Sequence, residues 1–170
     1  MTEERCCGKN VEIGQERAVE IVAIEKTANY CPMCEDYARR EASKPFVVMS
    51  CEGGCLRGEV ARQAANMVCY DLLPESTARL CLGGAFTKDT GQRNLARSAT
   101  KLIALEGCFI ECGSRMMKGV IRGLTLETVV ADQLYEFDRS LFGINEMAEE
   151  EIKVNARKVA EQVVQWLQEN

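Results

Sequence analysis

The chain has 170 residues with a formal net charge of −5, from 26 acidic and 21 basic side chains, and it contains no histidine. Lys and Arg nowhere concentrate enough to track a phosphate backbone, which argues against a nucleic-acid role. The most apolar stretches, Val19 to Ile24 and Leu102 to Leu105, fall far short of the roughly 20 residues a spanning helix needs.

Residues 1–45 read as an N-terminal appendage that holds four of the ten cysteines: Cys6, Cys7, Cys31 and Cys34. The first residues, Met-Thr-Glu-Glu-Arg-Cys-Cys-Gly, carry acidic side chains and no apolar core, unlike a secretory signal, so a cytoplasmic location is expected. The run Ala18 to Ile24 alternates only in part, which suits either a strand or the middle of a helix beginning near Gln15. Cys31-Pro32-Met33-Cys34 then opens a polar segment reaching Lys44.

From Pro45 a short apolar run, a Gly-rich turn and an amphipathic helix alternate, the rhythm of βαβ units. Phe46 to Met49 is the first predicted strand, Gly53-Gly54 its turn, and Glu59 to Leu72 the helix, closed by Pro74. Arg79 to Leu82 is a short second strand entering Gly83-Gly84, followed by a helix through Asn94, Leu95, Ser98 and Ala99. Leu102 to Leu105 is a third strand, apolar throughout as a strand buried on both faces must be. Cys112 to Lys118 predicts a helical turn capped by Gly119, and Val120 to Gly123 with Thr128 to Val130 offers a fourth strand near the sheet edge. Ile152, Ala156, Val159, Ala160, Val163, Trp166 and Leu167 recur at helical spacing within a covering helix from Asn145 to Leu167. The predicted fold is α/β: a Rossmann-like, parallel or mostly parallel sheet of about four or five strands, with flanking helices, over residues 46–170.

In such sheets ligands collect outside the carboxyl ends of the strands. Cys51, Cys81 and Cys108 each fall where a predicted strand runs out, and Cys112 follows Cys108 by four positions. With no histidine, a metal site has to be built from other groups, and four thiolates suit tetrahedral Zn²⁺ or an iron–sulfur cluster. Disulfides are not expected in a reducing compartment. The loop Cys51-Glu52-Gly53-Gly54-Cys55-Leu56-Arg57-Gly58-Glu59 lacks the Gly-Lys-Ser/Thr of a P-loop, but its glycines allow a tight strand-to-helix turn with amides that favour negative charge. Cys55 is a further thiol poised for exchange or substitution as a ligand, and Cys69, in mid-helix, reads as buried and inert. Cys6, Cys7, Cys31 and Cys34 form a second candidate metal group, in which Cys31-x-x-Cys34 has knuckle spacing but does not follow a strand as a redox motif would.

The stretch from Val47 to about Asp138 resembles the DGC-domain family, which is named for an Asp-Gly-Cys signature and linked to zinc binding through its cysteines. The resemblance rests on Cys51-x-Gly53 with Gly58, on Arg79-Leu80-Cys81-Leu82-Gly83-Gly84, and on Ile103-Ala104-Leu105-Glu106-Gly107-Cys108-x₃-Cys112. Glu106 stands where the signature has Asp. The resemblance implies a zinc site and names no reaction.

The leading expectation is therefore zinc held by Cys51, Cys81, Cys108 and Cys112, serving a small thiol, an anionic ligand or another thiophilic metal. An enzyme of thiol chemistry is the alternative, with Cys55 or Cys112 as nucleophile and Glu106 or Glu59 as proton acceptor. An iron–sulfur protein is the third.

Overall fold

The computed structural model describes residues 19–169. Cys6 and Cys7, and the expected helix start near Gln15, lie outside them. Residues 19–30 form neither helix nor strand, and Val19, Ile21 and Val22 are 86%, 94% and 64% exposed. The strand or helix expected over this run is therefore not formed across its described part: solvent surrounds its apolar side chains, and they gain no burial to offset the cost of ordering.

Helix α1 spans Pro32–Glu41, a segment expected only to be polar. Pro32 fixes a helical φ at a position whose N–H would be unpaired in any case, and Cys31 precedes it in extended conformation as the N-cap. Ala38 is buried, close to Gly91 at the start of the helix Gly91–Ser98, within the core on one face of the sheet. The Tyr37 hydroxyl donates to the Arg79 carbonyl at 3.0 Å and accepts from the Arg79 N–H at 2.9 Å. Burial pushes the Tyr37 phenol well above its ordinary pKa, so it serves as a neutral donor and acceptor. Tyr37→Phe leaves both backbone groups without their partner and is expected to cost about 1–2 kcal/mol, lowering the unfolding midpoint by about 3–6 °C. Thermal unfolding checks this, and an unchanged midpoint would mean that water replaces the phenol at no cost.

Four strands follow: β1 Phe46–Ser50, β2 Thr77–Arg79, β3 Lys101–Glu106 and β4 Glu127–Val130. They form one parallel sheet in the order β2-β1-β3-β4. This is the parallel α/β architecture expected, with β4 at an edge. Helix α2, Leu56–Met67, runs on through a π-helical turn at Val68–Leu72. Helices α3 (Leu82–Thr87), α4 (Gly91–Ser98), α5 (Cys112–Val120) and α6 (Glu149–Glu169) complete the molecule.

Successive strand residues point to opposite faces, and the two cores sort by that parity. Val48, Ile103 and Leu105 pack under α2 and α6 with Val60, Ala64, Ala156, Val159 and Val163. Val47, Met49, Leu102 and Ala104 pack on the other face with Leu80, Ala85, Leu95 and Met117. Three boundaries differ from expectation. β2 stops at Arg79, because Leu82 already begins α3, so Gly83 and Gly84 are helical and not a turn. Helix α5 continues through Gly119 to Val120. The fourth strand uses only Glu127–Val130 of the two stretches offered for it.

Candidate functional site

Strand β1 has β2 on one side and β3 on the other, so the connections leaving β1 and β3 run toward opposite sides of the sheet and the topological switch point falls between the ends of these two parallel strands. Crevices at such switch points are where parallel α/β sheets bind ligands. Cys51 leaves β1 there, its N–H continuing the ladder to the Leu105 carbonyl at 3.0 Å. Glu106, Gly107 and Cys108 leave β3 beside it.

The two exits are pressed together at glycine. A Cβ on Gly107 would lie 2.7 Å from the Gly58 nitrogen and 2.8 Å from the Arg57 carbonyl carbon. The Cys51–Gly58 loop wraps the start of α2, with the Cβ position of Gly53 3.3 Å from the Cys51 sulfur and 3.7 Å from the Cys55 sulfur. Both thiols thus flank one glycine. Burial pushes the Cys51 thiol up in pKa, opposed by backbone N–H groups of Gly53 and Gly107 directed at its sulfur. Cys55 is the N-cap of α2 and bridges in antiparallel fashion to Gly143, while the Leu56 N–H donates to the Phe142 carbonyl at 2.8 Å.

Cys108 is partly buried. Burial raises its thiol as well, with the Ile110 N–H and the Arg57 guanidinium pulling the other way. Glu111, next in the turn, adopts the left-handed conformation at φ 53°, which delivers Cys112 to the first position of α5. Cys112 is exposed there.

Cys81 caps α3, its sulfur accepting the Gly84 N–H at 3.4 Å. Its thiol neighbours come from α1: burial raises the Cys34 thiol, aided by adjacent Cys31 and then by Cys81. The fold therefore sets Cys51, Cys55 and Cys108 around the switch point, and Cys31, Cys34 and Cys81 around the heads of α1 and α3. Among the described residues no three Cys, Asp or Glu side chains are gathered to hold a metal ion as they stand. The donor chemistry of Cys51, Cys81, Cys108 and Cys112 suits zinc, and all four follow strand ends at the carboxyl edge, but Cys81 is grouped with Cys31 and Cys34 rather than with Cys51 and Cys108.

Cys69, 2% exposed on the π-helical turn, has its thiol pushed up to about 11 by burial, which suits an inert core residue. The two carboxylates considered as proton acceptors are both engaged. Glu59 accepts from Arg62 at 2.6 and 2.8 Å and from Gln63 at 2.8 Å, and these bonds hold it below the usual carboxylate range. Glu106, 1% exposed, accepts the Ser114 N–H at 2.6 Å, the Ser114 hydroxyl at 2.8 Å and the Gly113 N–H at 3.4 Å, and so closes the amino terminus of α5.

Other groups at the switch point were not singled out from sequence. Arg57, 8% exposed, pairs with Asp132 at 3.1 Å and lies over the Phe137 ring at 5.2 Å from its centroid. Asp132 comes from the 3₁₀ turn Ala131–Gln133 that leaves β4. Tyr135 follows with its hydroxyl buried and, among the described residues, without a hydrogen-bond partner. Burial, with Asp132 adding, pushes its phenol well up in pKa. The sequence signal was the spacing Cys51-x₅-Arg57 across a strand–loop–helix junction. Glu52 within that loop is turned onto buried Arg79 at 2.7 Å.

A cleft of about 410 Å³ lies at the opposite, amino edge of the sheet, lined by residues including Thr100, Lys101, Leu124 and Glu127. It holds no thiol, and Glu127 there is paired with Lys101 at 3.4 Å.

A family model described as the DGC domain matches residues 47–161, well over half of the chain. No curated protein and no solved structure matches the chain.

Proposed function

The chain belongs to the DGC-domain family, and from that premise we propose that it is a cytoplasmic metal-binding protein in which Cys51, Cys81, Cys108 and Cys112 take Zn²⁺ at the carboxyl edge of the sheet. The observation that carries this reading is the placement of the four thiols: three follow adjacent strands and the fourth opens α5. Thiolate donors favour zinc over hard cations. None of the described helices is long and apolar enough to cross a membrane. With zinc bound, the protein would present a thiophilic Lewis acid to a small thiol or anion at the switch point, where Arg57 adds positive charge. The same donors suit an iron–sulfur cluster.

Elemental analysis of protein purified without oxygen is expected to find about one zinc per chain. Each of the single Cys→Ser changes at positions 51, 81, 108 and 112 is expected to remove it. A brown protein absorbing near ~400 nm would replace zinc with an iron–sulfur cluster. Stable, correctly folded protein without metal would end the metal reading in either form.

A second reading, a thiol-dependent enzyme, is favoured by one specific arrangement: Cys51 receives two backbone N–H groups and stands six residues before Arg57, itself paired to Asp132. In this reading Cys51 is the thiol to test first, because the residues considered alongside Cys55 and Cys112 as proton acceptors are committed elsewhere.

A further inference from the structure

Two thiols outside the proposed zinc set stand together at the head of α1. Cys31 is its N-cap and Cys34 its third residue, so the first turn makes them neighbours, and the Glu35 N–H closes that turn on the Cys31 carbonyl at 3.2 Å. The two thiols hydrogen-bond to each other, and both are free. Pro32 between them locks its φ, which stiffens the segment that a bond between the sulfurs would close. No strand leads into the pair, since residues 19–30 form neither helix nor strand. The turn itself supplies the geometry, because a Cys-x-x-Cys opening a helix brings its sulfurs within bonding reach.

We propose that Cys31 and Cys34 form a dithiol that exchanges with small disulfides, Cys31 capturing the substrate sulfur and Cys34 displacing it. This goes beyond the zinc reading and uses none of its four ligands.

The surroundings divide the two roles. Cys31 is exposed, so a substrate can reach it, whereas Cys34 is partly buried with Cys81 nearby. Tyr30 and Met33, 66% and 79% exposed, flank Cys31 with apolar surface. Lys88, the C-cap of α3, donates to the Asn29 carbonyl and lies over the Tyr30 ring at 5.8 Å from its centroid. It ties down the approach to Cys31 and brings a positive charge to it, which suits a substrate carrying carboxylates. Glu35, next to Cys34, is engaged by α4: its two carboxylate oxygens accept the Gly91 N–H at 3.0 and 2.9 Å. The Cβ position of Gly91 lies 2.9 Å from the Ala38 Cβ, so α1 and α4 are in close contact there. The pair is thus carried on a helix packed against its neighbour, not on a free tail. Two thiols also suit a soft metal ion, but among the described residues no third Cys, Asp or Glu joins them to complete a zinc site.

The exchange balances with the small disulfide, RSSR, as the oxidant. The Cys31 thiolate attacks one substrate sulfur, the bond from Cys31 to SR forms and the substrate S–S bond breaks. The departing RS⁻ takes up, through water, the proton that Cys31 released. The Cys34 sulfur then attacks the Cys31 sulfur, forming the Cys31–Cys34 bond and expelling the second RS⁻, which takes the Cys34 proton. Two electrons pass from the dithiol to the substrate, giving two RSH.

The test mixes the full chain, reduced and freed of reductant without oxygen, with glutathione disulfide and then blocks remaining thiols with N-ethylmaleimide. Trypsin, cutting after Lys26 and Arg39, leaves both cysteines on one peptide, residues 27–39, so their disulfide reads as a peptide two hydrogens lighter that carries no maleimide. That peptide should form in the unaltered chain, and excess reduced glutathione should return it to the dithiol. Cys34→Ser should trap glutathione on Cys31, and Cys31→Ser should slow glutathione capture by this peptide at least about tenfold. Reading the unaltered chain keeps the test independent of how the variants fold. A 27–39 peptide that stays reduced in excess glutathione disulfide, or Cys34 bonded to Cys81 in place of Cys31, overturns the proposal. A Cys31–Cys34 bond that resists reduced glutathione is a fixed cross-link and overturns exchange. Zinc content separates this from the zinc reading: the double variant Cys31→Ser with Cys34→Ser should hold as much zinc as the unaltered chain. Zinc lost with the pair makes it a metal site and overturns exchange. A chain without zinc that still forms and releases the Cys31–Cys34 bond ends the zinc reading and supports this one.

Discussion

Gly107→Ala is expected to destabilise the protein by about 3 kcal/mol and to lower its unfolding midpoint by about 6–12 °C. The new methyl group would stand 2.7 Å from the Gly58 nitrogen and 2.8 Å from the Gly58 Cα and the Arg57 carbonyl carbon. These are backbone atoms at the first turn of α2, and no side-chain rotation relieves the contact. The exit of β3 must therefore move away from α2, which pulls Cys108 from Cys55 and the Gly107 N–H from the Cys51 sulfur. Gly54→Ala is the control in the same loop, since a Cβ there meets nothing within 4 Å, and it should change stability by no more than about 0.5 kcal/mol. Urea unfolding of the two variants checks the pair. Equal stabilities would show that the two segments are not held in the close contact described.

Glu106→Ala should cost about 3 kcal/mol or more, because it leaves the buried Gly113 and Ser114 N–H groups and the Ser114 hydroxyl without the carboxylate that accepts from them. These amides begin α5, where the helix dipole also favours a negative group. Glu106→Gln keeps one acceptor oxygen in place and should retain more than half of the lost stability. Glu106→Asp keeps the charge but is a methylene too short to span from β3 to Ser114, and it should fall closer to Ala than to Gln. This order, Gln above Asp above Ala, separates reach from charge. Asp matching the unaltered chain would mean that α5 follows a shorter side chain inward, and would explain how the Asp-Gly-Cys form of the signature is accommodated.

The strands were legible because short, continuously apolar runs, as strands buried on both faces have, end on Gly or Cys, and successive residues along them alternate between the two faces. β1 and β3 extend only one or two residues beyond the predicted limits, and the two cores divide by the same parity. The carboxyl-edge placement of Cys51, Cys81 and Cys108 follows from those strands, as does Cys112 at the head of the next helix. What escaped was whatever depends on contacts between distant residues. Arg57 meets Asp132 across 75 positions, and Tyr37 meets Arg79 across 42. Nothing local to either residue announces its partner. Helix α1 was hidden by its own cysteines: Cys31-Pro32-Met33-Cys34 reads as a metal knuckle, while Pro32 also fits a helix start, and burial of Ala38 favours the helix. Helix α3 was hidden by Gly83-Gly84, which suit a turn; a Cβ at Gly84 would come 3.3 Å from Gln92 and 3.4 Å from the Cys81 sulfur, so a small residue is what lets α3 lie close to α4.

The phenol that links α1 to Arg79 has a bearing on self-association. β2 borders the sheet, and a strand arriving from another copy would need the N–H and carbonyl that Tyr37 already holds. Lateral growth past that border is obstructed at Arg79, so stacking of copies into a continuous ribbon through β2 is closed off by one aromatic side chain.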